Sequence, residues 1–243
     1  MERTRPRDGA ALLPAIPVYD ESLHPGRRAT LVHVAPFAAF VALMGAERLL
    51  NLPPAFAYPA RCLAVLALLL PARRYLEFRP RFPFATAILG AAVFAIWIAP
   101  DLLFGYRHFW LFENSLTGRA ASSIPEALRR NVPFVILRAA ACTLLVPVFE
   151  ELFWRSWMLR WLVHPKFLSV PFGTYQRAAF WTVALLFAAE HGPYWEVGLA
   201  AGMLYNWWAV RTRSLADCIF AHAVTNGLLS AYVLISGRWE YWA

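Results

Sequence analysis

The sequence predicts an all-α fold, a polytopic transmembrane helical bundle, from three observations. Of its 243 residues, 60% are hydrophobic and 16% are charged, whereas a soluble domain is about 45–50% apolar and about 25% charged. The apolar residues form stretches close to the roughly 20 residues with which a helix crosses a bilayer. Arginines cluster between these stretches, as the positive-inside rule describes. This composition excludes a disordered chain and a disulfide scaffold.

We expect residues 1–29 to form a polar, Pro-rich cytoplasmic tail and residues 30–243 to form a single membrane domain. About seven spans fit the pattern, and six to eight are compatible with it. The spans run approximately over 30–50, 57–71, 83–100, 132–154, 177–191, 194–211 and 215–236. Pro71 and Pro193 set the ends of short spans. The connection 101–131 is long enough to form a lid or a surface helix.

The basic residues predict the orientation of the spans. The connections 72–82 and 155–177 each carry four basic residues, whereas 51–56 carries no charge. We therefore expect a multi-pass protein of the bacterial inner membrane with its N-terminus in the cytoplasm. This placement accounts for the net charge of +8, so the lipid bilayer is the expected partner and nucleic acid is not. Three cysteines in apolar stretches predict buried free thiols; they are Cys62, Cys142 and Cys218.

Polar and ionisable side chains inside the predicted spans are the candidate functional residues, because such groups are costly near the bilayer centre. The candidates on the fourth, fifth and seventh spans are Glu150, Glu151, Arg155, His191, His222 and Asn226. Helical spacing pairs Arg155 with Glu151 and leaves Glu150 on another face. Counted from the cytoplasmic ends, the three groups lie about 20, 21 and 12 Å deep. We therefore expect them to converge on one polar pocket.

These residue types favour hydrolysis of an amide by activated water. The sequence offers no supported Ser or Cys nucleophile, no phosphate-binding Gly-rich loop and no HExxH pattern. A carboxylate beside an imidazole can deprotonate water, which assigns Glu150 with His191 as general base. Imidazole and amide N–H groups can hold the resulting oxyanion, which assigns His222 and Asn226 to that role. The pair formed by Glu151 and Arg155 would orient these groups.

The three motifs resemble those of a known family. EExxxR at Glu150–Arg155, FxxxH at Phe187–His191 and HxxxN at His222–Asn226 occur in the order found in the CAAX-protease and bacteriocin-processing (CPBP, or Abi) family. The resemblance implies an intramembrane endopeptidase of seven or eight helices, with roles for the same six candidates. Its best-known members, the type II CAAX prenyl endopeptidases, cleave after a prenylated cysteine. Bacteria generally lack such substrates, so we expect a membrane-associated peptide or protein instead. The chain is also similar to CAAX-protease-related proteins found with bacterial exosortase and exopolysaccharide systems.

Three questions stay open at this stage. A divalent metal such as Zn²⁺ could be held by Glu150, His191 and His222, and the same groups could also act without one. The chain could instead be a non-catalytic membrane peptide-binding or immunity factor. A proton-coupled transporter is less favoured, because the inverted repeats common in transporters are not visible.

Two features near the motifs are assigned to packing rather than catalysis. Glu190 adjoins His191 but is expected to point elsewhere on the helix. Gly198 and Gly202 form a small-residue pattern that lets two helices approach closely.

Overall fold

The computed structural model describes residues 25–242, which form a helical bundle without a β-strand in that range. The predicted tail 1–29 lies largely outside the described residues, and from Pro25 onward the chain is already helical. The main helices of the described part are α1 (Pro25–Leu49), α2 (Pro54–Leu69), α3 (Pro83–Phe104), α4 (Val132–Trp161), α5 (Arg177–Ala189), α6 (Trp195–Thr212) and α7 (Leu215–Ser236). They fall on the seven predicted spans, which confirms the all-α transmembrane fold class.

Five of these helices are long and apolar enough to cross a membrane: α1, α2 with the 3₁₀ turn that follows it, α3, α4 and α7. Helix α5 is apolar but shorter. Large apolar side chains remain exposed on the outside of the bundle, among them Leu63, Phe84, Ile88, Ile136 and Leu144. An exposed apolar surface of this extent fits contact with lipid. The chain is therefore a multi-pass membrane protein in a lipid bilayer.

Helix α3 is seated tightly on α7, beside the residues of the third motif. A Cβ atom at Gly90 would lie 2.5 Å from the carbonyl oxygen of Ala221 and 2.8 Å from Cβ of Val224. The Thr225 hydroxyl donates to the Gly90 carbonyl at 2.9 Å. Only glycine permits this approach, so Gly90 fixes the distance between α3 and the helix that carries His222.

Helix α4 is interrupted by two π-helical segments. Ala141–Leu145 and Leu152–Met158 are π-helical and flank the α-helical stretch Val146–Glu151. Pro147 has no N–H to donate to the preceding turn, and the wider π turn just before it accommodates that loss. Such segments occur frequently at functional sites. In this chain the two π-helical segments flank Glu150 and Glu151.

The connection after α3, residues 105–125, is anchored on the turn between α5 and α6. Arg107 is buried and its Nη1 lies 2.6 Å from Oε1 of Glu196. Gly192 has φ +53°, and a Cβ there would lie 2.7 Å from the Thr117 carbonyl oxygen. The backbone of the connection therefore contacts the turn that follows His191.

Candidate active site

A buried carboxylate links two of the predicted motifs. Glu151 and Arg155 on α4 are both completely buried. Arg155 Nη1 donates to Glu151 Oε1 at 2.9 Å, and His222 Nδ1 lies 2.9 Å from the same oxygen. An ionised carboxylate only accepts, so this contact assigns the hydrogen to Nδ1 of His222. Glu151 thereby joins α4 to α7 and orients the imidazole, with Nε2 on the opposite side of the ring.

The Arg155 guanidinium is enclosed on its other sides. Its Nε donates to Asn206 Oδ1 at 3.2 Å, and Asn206 Nδ2 donates to the Phe180 carbonyl at 2.9 Å. Its Cζ atom lies 4.6 Å from the ring centroid of Phe187 and 5.3 Å from that of Tyr205. A carboxylate, an amide and two aromatic faces therefore surround this charge.

Sequence reasoning missed two residues of this network. Asn206 is completely buried, and its signal was an amide inside the apolar sequence of α6. Tyr205 stacks on His222 with ring centroids 5.2 Å apart, and its hydroxyl donates to Thr225 at 2.7 Å. Asn206 holds the Arg155 side of the network, and Tyr205 holds the imidazole ring.

The Glu150 side chain lines a cavity. Its Oε2 is buried and has no hydrogen-bond partner among residues 25–242. The same oxygen lies 4.0 Å from Nε2 of His222, too far for a direct hydrogen bond. A single water could contact both atoms at about 2.8 Å. Glu150 and Glu151 therefore approach the two nitrogens of one imidazole.

His191 lies just beyond the end of α5. Its Nδ1 is 2.6 Å from the Phe187 carbonyl oxygen, which can only accept, so Nδ1 carries the hydrogen and Nε2 of the neutral ring is an acceptor. Phe187 and Trp97 pack against the imidazole, with ring centroids 4.6 and 5.2 Å away. Gly198 on α6 leaves room for the ring, since a Cβ there would lie 3.2 Å from Cβ of His191. The small-residue pattern therefore positions a motif residue as well as a helix.

Asn226 connects α7 to the first π segment of α4. Its Nδ2 donates to the carbonyl of Cys142 at 3.0 Å, which leaves its second amide hydrogen for another acceptor. The three cysteines are free thiols as predicted; Cys62 and Cys218 are buried, whereas Cys142 is only half-buried.

The expectation that Glu190 points away from the site is wrong. Helix α5 ends at Ala189, so Glu190 and His191 lie in a turn to which helical angles do not apply. Glu190 lines the same cavity as His191 and accepts a hydrogen bond from Trp154 Nε1 at 3.1 Å. The cavity wall therefore carries three carboxylates, Glu190 among them.

One cavity of about 720 Å³ collects these groups. Four of the six candidates line it, namely Glu150, His191, His222 and Asn226. Glu151 and Arg155 lie behind them. The wall also includes residues of the connection 105–125 and Trp242. Three helices thus bring their polar groups to one enclosed space, as the sequence predicts.

Residues 132–228 match the family model described as type II CAAX prenyl endopeptidase Rce1-like. Over these residues the chain resembles that family, and they are called the Rce1-like domain. The match agrees with the resemblance carried by the three motifs, and it supports a CAAX-type intramembrane protease. No curated protein and no solved structure matches the chain.

The Rce1-like domain contains all six candidate residues, but it does not enclose the cavity alone. Helices α1 to α3 lie before it in the chain and supply further wall residues, including Phe37, Arg61 and Trp97. The C-terminal Trp242 lies after it. Part of the cavity wall is therefore built by sequence outside the family match.

The donor groups of the Rce1-like domain do not form a metal site as they are arranged. Within residues 25–242, no three His, Cys, Asp or Glu side chains are grouped closely enough to hold a metal ion. Glu150 Oε2 and His222 Nε2 are 4.0 Å apart, and Nδ1 of both histidines is engaged by protein oxygens. Glu150, His191 and His222 are therefore not arranged as three ligands of one metal ion.

Proposed function

We propose that the protein is an intramembrane endopeptidase that hydrolyses a peptide bond of a membrane-associated peptide or protein. One observation carries the proposal. The Glu150 carboxylate, without a hydrogen-bond partner among the described residues, faces His222 across 4.0 Å in a cavity that also contains His191 and Asn226. A carboxylate and an imidazole nitrogen therefore flank a small gap, with a second imidazole and an amide on the same cavity wall.

In this mechanism Glu150 is the general base. It takes a proton from a water whose position is set by Nε2 of His191, an acceptor in the neutral ring. The water oxygen bonds to the carbonyl carbon of the substrate. The carbon–nitrogen bond then breaks, and the leaving amine takes the proton from Glu150, so the carboxylate is restored.

His222 and Asn226 stabilise the oxyanion that forms. Asn226 has one amide hydrogen that is not used by Cys142. Because Nδ1 of His222 is engaged by Glu151, Nε2 is the ring atom that faces the oxyanion in this proposal. Removing one preorganised donor of this kind typically lowers the rate by about 10²–10³-fold.

Glu151 and Arg155 are positioning residues in this proposal. Both are completely buried, so they do not contact substrate in the cavity. Arg155 holds Glu151 in place, and Glu151 holds the His222 tautomer. Loss of either is expected to misplace the oxyanion donor rather than remove the base.

We further propose a bacterial inner membrane location with the N-terminus in the cytoplasm. The arginines of the α2–α3 connection and those between α6 and α7 support this orientation under the positive-inside rule. The connection 105–125 then lies on the opposite side. The metal-free mechanism and the single membrane domain belong to the same proposal.

The test compares membranes from cells that express wild type, Glu150→Gln or His222→Ala, by mass spectrometry of membrane-protein termini. Glu77→Ala and His164→Ala are the matched controls, because both side chains are exposed and remote from the cavity. We expect specific termini with wild type and both controls, and their loss in the two site variants at equal expression. Identical termini in all strains, with a phenotype lost in the site variants, would instead favour peptide holding or transport.

A further inference from the structure

Two arginines form a cationic wall in the cavity that the proposed mechanism does not use. Arg61 on α2 is 7% exposed, and Arg138 on α4 is half-buried. Both line the same cavity as Glu150. Both also belong to helices long and apolar enough to cross a membrane, where a charged group is costly and usually functional.

The two guanidinium groups share one aromatic ring. Cζ of Arg61 lies 5.2 Å from the ring centroid of Tyr58, and Cζ of Arg138 lies 4.9 Å from it. Two like charges against one ring repel each other, so this arrangement needs an anion to become favourable.

The protein supplies less negative charge than this cluster requires. Arg61 Nε lies 3.5 Å from Glu47 Oε1, but Nε and Nη1 of Arg61 make no hydrogen bond within the described part of the chain. Between residues 25 and 242, Arg138 has no ion-pair partner, and its Nε has no acceptor. The cluster therefore carries two cations against one carboxylate.

We propose that Arg61 and Arg138 bind a carboxylate of the peptide substrate. The inference rests on the proposed endopeptidase function, because it takes the ligand to be a peptide. Guanidinium groups bind carboxylates through paired N–H donors, and a substrate carboxylate would supply the missing counter-charge. The two arginines and the proposed base, Glu150, thus line different parts of one cavity.

The spacing along α4 sets the distance between this subsite and the scissile bond. Arg138 precedes Glu150 by 12 residues, which corresponds to about 18 Å along a helix. An extended peptide advances about 3.3 Å per residue. The bound carboxylate therefore belongs to a group roughly five residues from the bond that is cleaved, either the C-terminus or an acidic side chain.

The test measures binding separately from cleavage. The purified full chain, as Glu150→Gln to prevent turnover, is titrated with three fluorescein-labelled apolar decapeptides. One ends in a free carboxylate, one in a carboxamide, and one is a carboxamide with a single internal glutamate. We expect one of the two carboxylate peptides to bind about 10- to 100-fold tighter than the plain carboxamide. Equal binding of all three would overturn the proposal.

Substitutions of the cavity arginines test whether these residues cause the preference for carboxylate peptides. Arg138→Gln should abolish the preference for carboxylate, Arg138→Lys should retain part of it, and Arg119→Gln is the matched control at an exposed arginine of the same cavity. Because Arg138 lacks an ion-pair partner among the described residues, Arg138→Gln should not lower thermal stability, whereas a structural arginine would. An unchanged preference in both Arg138→Gln and Arg61→Gln would overturn the subsite.

A lipid headgroup is the other source of an anion. If phosphatidylglycerol vesicles displace the peptide from wild type but not from Arg138→Gln, and phosphatidylcholine vesicles displace neither, the arginines bind lipid and the proposal is wrong. Cleavage of the same peptides by wild type is scored separately. Carboxylate preference without cleavage would contradict the endopeptidase function while leaving the anion subsite intact.

Discussion

Replacing Gly198 by alanine is a small change directed at His191. A Cβ at this position would lie 3.2 Å from Cβ of His191 and 3.3 Å from its Cγ and Nδ1. Favourable carbon contacts lie at about 3.5–4.0 Å, so the imidazole must move by roughly 0.3–0.7 Å. The bond from Nδ1 to the Phe187 carbonyl, 2.6 Å long, restricts where the ring can go. We therefore expect the acceptor Nε2 to shift relative to Glu150.

A misplacement of about 1 Å can cost about 10²-fold in rate, so Gly198→Ala should slow cleavage by roughly 5- to 20-fold. The assay is the rate at which the wild-type termini appear in membranes, normalised to the amount of folded protein. Gly45→Ala is the control, because no atom of the described residues lies within 4 Å of its Cβ position. A wild-type rate for folded Gly198→Ala would refute the argument that the position of His191 matters for the chemistry.

Three further predictions concern the buried network and the connection after α3. Arg155→Met leaves Glu151 buried without its cation and should lower the free energy of unfolding by about 3–5 kcal/mol in denaturation in micelles. Adding Glu151→Gln should recover much of that loss, and no recovery would contradict the ion-pair account. Asn206→Ala should lower the free energy of unfolding by about 1–3 kcal/mol. Asn206→Asp should lower it by less, because aspartate still accepts a hydrogen bond from Arg155. Equal losses in the two variants would argue against that hydrogen bond. The hydrogen bond with His108 holds the pKa of Glu113 below its usual range. Its contribution to stability is therefore present above the ordinary glutamate pKa and lost as the pH falls through the depressed one. In thermal denaturation, the melting temperature should fall less on acidification for Glu113→Gln than for wild type. An equal fall in both would exclude this contribution.

The positions of the helices could be predicted from the sequence because apolar stretches and their Pro boundaries are local signals. The predicted span 177–191 corresponds to Arg177–Ala189, and 215–236 matches Leu215–Ser236. Helix α4 continues beyond the predicted span 132–154, to Trp161. The π segments had no such signal, because the widening of a turn depends on neighbouring helices.

The convergence of the site could be predicted from depth, but its details depend on tertiary contacts. The placement of Glu150, His191, His222 and Asn226 around one cavity follows from their similar distance from the ends of their helices. Glu190 was misplaced because the prediction extended α5 through a turn. The catalytic roles of the six candidate residues stay predictions.

The pairing of Arg61 with Arg138 also depends on tertiary contacts and could not be predicted from the sequence. In the sequence Arg138 has the appearance of a charge at a membrane edge or between helices, and nothing relates it to Arg61 across 77 residues of chain. Arg61 lies one turn from Tyr58 on α2, and only the packing of α2 against α4 brings Arg138 to the same ring. A subsite formed by residues on different helices is therefore a property of the fold.

The most direct test of the central claim uses the purified chain in liposomes without a proton gradient, with a substrate peptide identified in native membranes. The account predicts that wild type cleaves this peptide at the same bond as in cells and that Glu150→Gln, equally folded, does not. Equal cleavage by Glu150→Gln, or movement of the intact peptide across the bilayer by wild type, would contradict it.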